Sequence, residues 1–231
     1  TKKVIAFGAV TSIIGGFTDA IYQAVDAVND YNEATTEFNK VSNMNEESVI
    51  AYTKALGDLG TEVGRTRTEM VQASTEFLKS GYTEEQSANL AKVASLFQNV
   101  ADSEVSAGDS ASFIISQLKA FNIQASQAET IIDQVNQVAN DFSVSSTDIT
   151  SALTKSSASL STYGNTMSES ISLVTAGTEI MTNQAGRVSR GLVSIGANIV
   201  KLADGAGELE YTIGGVTKKI SLFDEATGDM K

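Results

Sequence analysis

Short apolar stripes at helical spacing follow one another between Phe77 and Met181, and they restrict the fold more than any other feature. Residues three and four positions apart share one face of an α-helix. The clearest stripe consists of Ala128, Ile131, Ile132, Val135, Val138, Ala139 and Phe142. Because each stripe must be buried against another element, we expect helices to pack on helices.

The 231-residue chain contains no proline, histidine or cysteine. Proline costs about 3 kcal/mol inside a helix, so its absence favours uninterrupted helices. Without histidine and cysteine the chain has no imidazole base, no thiol nucleophile and no soft metal ligand. The sequence therefore predicts a protein that is not an enzyme and that has no catalytic residue, metal site or cofactor.

The chain is acidic, with 16 basic against 28 acidic residues and a formal net charge of −12. Proteins that bind nucleic acid draw much of their affinity from clustered Lys and Arg side chains. We therefore expect no specific nucleic-acid binding. An acidic surface would instead allow DNA to pass without adhering.

Sequence patterns divide the chain into three parts, at residues 1–45, 46–204 and 205–231. The first part opens with Val4–Phe17, which carries no charge. A helix needs about twenty apolar residues to span a bilayer, so this segment is too short. We expect it to be buried or packed on a partner. Contact with a membrane is the alternative, since its glycines are of the kind that membrane helices use for close approach.

Helix boundaries in residues 46–204 are marked by capping signals. The pairs Thr83–Gln86, Ser126–Glu129, Ser145–Asp148 and Thr166–Glu169 have the spacing of capping boxes. Gly81 stands where a helix commonly ends in the left-handed conformation. Residues 143–172 are rich in Ser and Thr, yet their apolar positions keep helical spacing, which indicates helices with a hydroxyl-rich outer face. We predict an all-α fold, a bundle or array of about seven helices.

The pattern changes to alternation after residue 205. Leu209, Tyr211 and Ile213 alternate with polar residues, and Gly214-Gly215 separates them from a second alternating run. Two alternating runs around such a pair predict a small C-terminal β-hairpin, followed by an acidic tail.

Two apolar seams follow alternating steps of three and four residues, and both are candidates for self-association. One seam fits a coiled coil, although a helix lying on a core would look the same. The predicted self-association residues are Phe17, Ile21, Val28, Tyr31, Phe38, Val188, Leu192, Ile195, Ile199 and Leu202. They predict a homo-oligomer of several copies, with a trimer favoured. We expect four other aromatic residues to pack in the core: Tyr82, Phe97, Phe121 and Phe142.

Several short motifs occur in a characteristic order from about Tyr52 to the C-terminus. They are Phe77–Glu85, Leu118–Asn122, Val135–Asn140, Thr175–Gly177, Arg187–Leu192 and Leu222–Gly228. In order and spacing this series resembles the core region of tape-measure proteins from long-tailed bacteriophages. The first fifty residues carry no such likeness.

The resemblance implies a structural protein of the virion tail. Members of that family lie as several copies inside the tail tube, set the tail length and leave ahead of the DNA during ejection. The implied partners are tail tube and tail-tip proteins, and the implied locations are the virion and, during assembly, the host cytoplasm. Two alternatives remain open: a compact helical module that docks on tail-tip or chaperone proteins, and a pore-forming or filament-forming helical protein outside phage.

Overall fold

The computed structural model describes the backbone of residues 4–142, 144–201, 208–213 and 216–221, and the side chains of residues 19–142 and 144–201. The helices are α1 (Val4–Val41), α2 (Glu46–Val63), α3 (Arg67–Lys79), α4 (Glu84–Val100), α5 (Ala107–Ala120), α6 (Ala128–Phe142), α7 (Ser146–Thr162), α8 (Met167–Ile180) and α9 (Ala185–Lys201). The helical fold is thus confirmed. The predicted number of about seven is too low, because nine α-helices lie in these residues.

Two extended segments follow the helices, β1 (Glu208–Ile213) and β2 (Val216–Ser221). They pair in antiparallel register, with Glu208 opposite Ser221 and Ile213 opposite Val216. The acidic tail that was predicted beyond them lies outside the described residues.

Helix ends are fixed by local chemistry, as most of the capping signals predicted. The Thr166 hydroxyl accepts a hydrogen bond from the Glu169 amide, and the Glu169 carboxylate accepts one from the Thr166 amide. Thr83 and Gln86 make the same reciprocal pair. Gly81 and Gly164 have φ angles of 92° and 89° and reverse the chain in the left-handed region. These caps satisfy amides and carbonyls that the helices leave unpaired.

One predicted cap is wrong. Ser126 lies inside a 3-10 turn, Ala125–Gln127, and helix α6 begins after it at Ala128. The chain reverses earlier, at Asn122 with a φ of 51°, and the Ile123 amide bonds back to the Leu118 carbonyl. The turn therefore enters the helix without using the Ser126 hydroxyl as an N-cap.

The apolar stripe of α6 is buried as expected, except at its end. Ala128, Ile131, Ile132, Val135 and Ala139 are buried. Phe142 is 53% exposed, so its predicted core position is wrong. It is the last residue of α6, three residues beyond Ala139, the last buried residue of the stripe.

The other three aromatic residues predicted to be core vary in burial. Phe97 is buried and its ring lies 5.4 Å from that of Phe113. Tyr82 and Phe121 are half-buried. The Tyr82 ring meets the Phe77 ring edge-on at 6.0 Å.

Packing divides the backbone into two compact units, residues 1–96 and 97–231. In the first unit, α3 packs against α1 and α2, and the ring of Phe38 stacks on Tyr52 at 5.2 Å. The Arg67 guanidinium lies 5.7 Å from the centre of the Tyr31 ring. The divisions predicted at residues 45 and 204 follow sequence pattern and stay predictions.

The second unit repeats one helix pair. Helices α5, α7 and α9 begin at residues 107, 146 and 185, and α6 and α8 begin at residues 128 and 167, so that each kind recurs every 39 residues. Helix α7 packs against α5 and α9, and α6 packs against α8. We call α5 to α9 the helix-pair array, since helix pairs stacked in this way build repeat proteins.

Hydrogen bonds at both ends of α7 show that it runs parallel to α5. The Ser103 hydroxyl donates to Thr147 Oγ1 at the start, and the Ser161 hydroxyl donates to the Ala120 carbonyl at the end. Contacts at both ends also show that helix α9 runs parallel to α7. Asp148 accepts a hydrogen bond from the Asn183 amide at one end, and Gly196 lies against Tyr163 at the other.

None of the described helices has both the length and the apolar character that a membrane span requires. The predicted membrane contact of Val4–Phe17 stays a prediction.

Gly177 allows close contact between α8 and α9, and its replacement tests that packing. A methyl group at Gly177 would lie 2.5 Å from Cγ1 of Val188, a buried β-branched side chain. We expect Gly177→Ala to lower the free energy of unfolding by about 1–3 kcal/mol, as overpacking does. Gly191→Ala is the control, since nothing lies within 4 Å there and alanine favours the helix by up to about 1 kcal/mol. Chemical denaturation should separate the two variants; equal stabilities would contradict the packing.

The Thr166–Glu169 capping box gives a second test. Hydrogen bonds from the Thr166 amide and hydroxyl hold the pKa of Glu169 below its ordinary value of 4.5. We expect Thr166→Ala to lower the free energy of unfolding by about 1 kcal/mol. Because its pKa is lowered in the folded state, the Glu169 carboxylate contributes fully to the free energy of unfolding above pH 4.5. Its contribution decreases as the pH falls below that value. Denaturation at pH 7 and pH 3 should show a smaller difference at pH 3. Thr61→Ala, at an exposed position on α2, is the control.

Candidate interaction surface

A cleft of about 350 Å³ lies in the second unit, mainly between α5 and α7. Phe97 and Phe113 form part of its floor. Its walls carry the hydroxyls of Ser103, Ser112, Thr147, Thr150, Ser151 and Thr154, and three charged side chains, those of Glu104, Asp109 and Lys155. The cleft therefore combines small polar groups with few charges.

The polar groups of the cleft are largely engaged in local structure. Asp109 accepts a hydrogen bond from the Ser106 hydroxyl at 2.7 Å, beside the N-cap of α5. Thr150 and Thr154 donate to carbonyls of their own helix. Across the described residues there is no cluster of three acidic side chains that could hold a metal ion. The cleft therefore lies where α5 packs on α7, and several of its polar groups serve that local structure.

Buried polar residues join α5 to α7. The Ser157 hydroxyl donates to Gln117 Oε1 at 2.8 Å, and both side chains are fully buried. At the start of α7 the Asp102 carboxylate accepts a hydrogen bond from the Ser146 amide, while the Asp102 amide donates to the Ser146 hydroxyl. These bonds fix the lengthwise position of one helix on the other, because apolar contacts alone are not directional.

The hydroxyls of residues 143–172 lie inside the array as well as outside it. Ser146, Thr150, Ser156, Ser157 and Ser170 are buried, so the predicted hydroxyl-rich outer face is only part of the pattern. Ser156 and Ser170 donate to carbonyls one turn earlier in their own helices, so burying them leaves no donor unpaired.

The predicted self-association residues of α1 divide into two groups. Phe38 is buried in its own unit, and Tyr31 is half-buried with its hydroxyl donating to Thr53. Ile21 and Val28 are exposed. The side chain of Phe17 lies outside those described. Sequence analysis did not single out Val25, which is 51% exposed beside Ile21 and Val28.

The predicted residues of α9 divide in the same way. Val188 is buried against Gly177, and Leu192 is half-buried. Ile195 and Ile199 are each 59% exposed. Leu202 lies outside the described residues. Helix α9 thus turns a small-residue face, including Gly196, toward α7 and leaves two isoleucines in solvent, which periodicity alone does not reveal.

The charges of these two exposed surfaces are opposite. Residues 19–33 of α1 contain four acidic residues, Asp19, Asp26, Asp30 and Glu33, and no basic residue. Helix α9 contains Arg187, Arg190 and Lys201 and no acidic residue. Residues 19–33 of α1 and the helix α9 therefore each combine exposed apolar side chains with charges of one sign.

The chain is similar to a known protein family. The model of a family described as phage-related minor tail protein matches residues 53–231, which is more than half of the chain. No solved structure matches the chain. The matched range includes the whole helix-pair array and begins within α2.

The Gln117–Ser157 pair provides a test of the polar layer between α5 and α7. We expect Ser157→Ala to lower the free energy of unfolding by about 1–3 kcal/mol, because Gln117 Oε1 is left buried without that partner. The double variant Gln117→Leu/Ser157→Ala should recover most of the loss, since both polar groups are then gone. Equilibrium denaturation of the wild type and both variants measures this. A double variant less stable than Ser157→Ala would show that the pair is not an isolated hydrogen bond.

Proposed function

The chain belongs to the phage-related minor tail protein family, and we propose that it is the folded core section of a tape-measure protein. Family membership gives it a structural role in the tail. The more specific role draws on the motif series from Phe77 to Gly228, whose order resembles that of tape-measure proteins. In this role the chain sets tail length, lies in the tail as several copies and leaves ahead of the DNA.

The observation that supports this function best is the 39-residue repeat. A protein built from equal helix pairs can grow or shrink by whole units, since each pair contacts only its neighbours. Length in residues then converts into length in space by a constant factor. A structural role of this kind depends on the length and packing of the repeat and needs no ligand or catalytic group.

The proposed role needs no reaction. Partners would be tail tube and tail-tip proteins and sister copies of the chain, first in the host cytoplasm during assembly and then in the virion. The acidic chain is suited to a path that DNA later follows, because it offers few clustered cations to phosphate.

A second function is favoured by the short, capped helices. A compact section could dock on tail-tip or chaperone proteins while other sequence measures length. Helices α2 to α9 contain 13 to 18 residues each and fold back on one another, which a fully extended ruler would not need.

Deleting one repeat distinguishes these functions. Removal of residues 128–166 joins Gln127 to Met167 and eliminates one 39-residue period, so that α8 takes the place of α6. If the chain lies in the tail as extended helix, the tail should shorten by about 58 Å, at 1.5 Å per residue. If folded pairs stack, it should shorten by about 10 Å, the distance between packed helices.

Tail lengths would be measured by electron microscopy of purified particles. A tandem duplication of residues 128–166 is the matched control and should lengthen the tail by the same amount. Unchanged lengths in both variants would contradict the ruler and favour the docking module.

A further inference from the structure

Helix α9 carries isoleucine at a position that its predecessors bury. Gln117 in α5, Ser156 in α7 and Ile195 in α9 are related by steps of 39 residues. Gln117 and Ser156 are 0% and 1% exposed, whereas Ile195 is 59% exposed. Ile199 lies one turn further along and is equally exposed. An apolar side chain at this repeat position indicates that another element covers α9.

Helix α1 has a matching uncovered stretch. Every residue from Asp19 to Asp30 is exposed, including Ile21, Val25 and Val28. These three side chains continue, at steps of four and three, the stripe that is covered further along at Tyr31 and Phe38. The stripe thus extends beyond the elements that bury its C-terminal half.

We propose that α1 of one copy packs lengthwise on α9 of a second copy. The contact buries Ile21, Val25 and Val28 against Ile195 and Ile199. It joins two different surfaces, so each copy keeps one surface of each kind for a further neighbour. Such a head-to-tail contact generates a ring or an open series of copies.

The charges of the two helices favour contact of α1 with α9 over contact of α1 with α1 or of α9 with α9. Residues 19–33 of α1 include four acidic residues and no base, and α9 has three basic residues and no acid. Two α1 helices, or two α9 helices, would bring equal charges together, whereas α1 with α9 brings opposite ones together. Complementary potentials favour the correct partner and speed its approach, particularly at low ionic strength.

The proposal rests on the proposed function in one respect, which is that several copies of the chain meet in the tail. Beyond the proposed function, it specifies that the surface of α1 on one copy meets the surface of α9 on another. The two ideas fail separately, because the contact is measured with purified protein in solution, whereas the ruler is measured by tail length after a deletion that leaves α1 and α9 in place.

Two double variants test the contact. Ile21→Gln/Val28→Gln alters only the α1 surface, and Ile195→Gln/Ile199→Gln alters only the α9 surface. All four side chains are exposed and glutamine is a good helix former, so folding should be kept, as circular dichroism would check. The control is Ile50→Gln/Ile180→Gln, which changes two exposed isoleucines on α2 and α8.

Sedimentation velocity over a range of concentrations gives the result. Wild type and control should associate beyond a dimer, and each double variant alone should associate more than roughly tenfold more weakly. An equal mixture of the two double variants should form a dimer and stop there, since one copy retains α1 and the other retains α9. Association should also weaken in about 1 M salt, where the Debye length is about 3 Å.

Other outcomes overturn the proposal. Persistent association of the α9 variant alone would mean that α1 pairs with α1, as in a coiled coil. Persistent association of the α1 variant alone would mean that α9 pairs with α9. A wild type that stays monomeric at all concentrations, or a mixture that stays monomeric, would exclude the head-to-tail contact.

Discussion

The helix-pair array depends on burying hydroxyl-rich α7 among its neighbours. Helix α7 packs against α5, α6, α8 and α9, although few of its residues are large and apolar. Its buried hydroxyls bond to carbonyls of the same helix, to Gln117 of α5 or to the Asp102 amide, so that little hydrogen bonding is lost on burial. Small side chains also let helix axes approach closely. Dispersion contacts and fixed register can therefore replace a core of large residues.

The 39-residue period links this packing to function. In a stacked array each helix pair is stabilised by the pairs beside it. The apolar surfaces at the two ends of the array stay exposed to solvent unless something covers them. Ile195 and Ile199 lie on such a surface of α9. Outside the array, Ile21, Val25 and Val28 form a separate exposed apolar surface on α1. In the proposed head-to-tail contact, these two surfaces of neighbouring copies cover each other.

Local rules were readable from the sequence, and tertiary contacts were not. Some features were predictable because they depend only on residues within four positions along the chain. They are the Thr83–Gln86 and Thr166–Glu169 capping boxes, the left-handed Gly81 and the spacing of the α6 stripe. Phe142 is exposed although it continues the α6 stripe, and Val188 is buried against Gly177, neither of which periodicity records. The 39-residue interval between the caps Ser106 and Ser145 was present in the sequence.

If the helix-pair array depends on α7, the amides of this helix should be better protected from hydrogen exchange than those of helices with larger apolar residues. Hydrogen exchange followed by mass spectrometry measures this directly, because amides in the most tightly packed segments exchange only through the largest openings. We predict that amides of α7 from Ile149 to Leu160 exchange more slowly than those of α6 and α9. Exchange from α7 as fast as from α9 would contradict the claim.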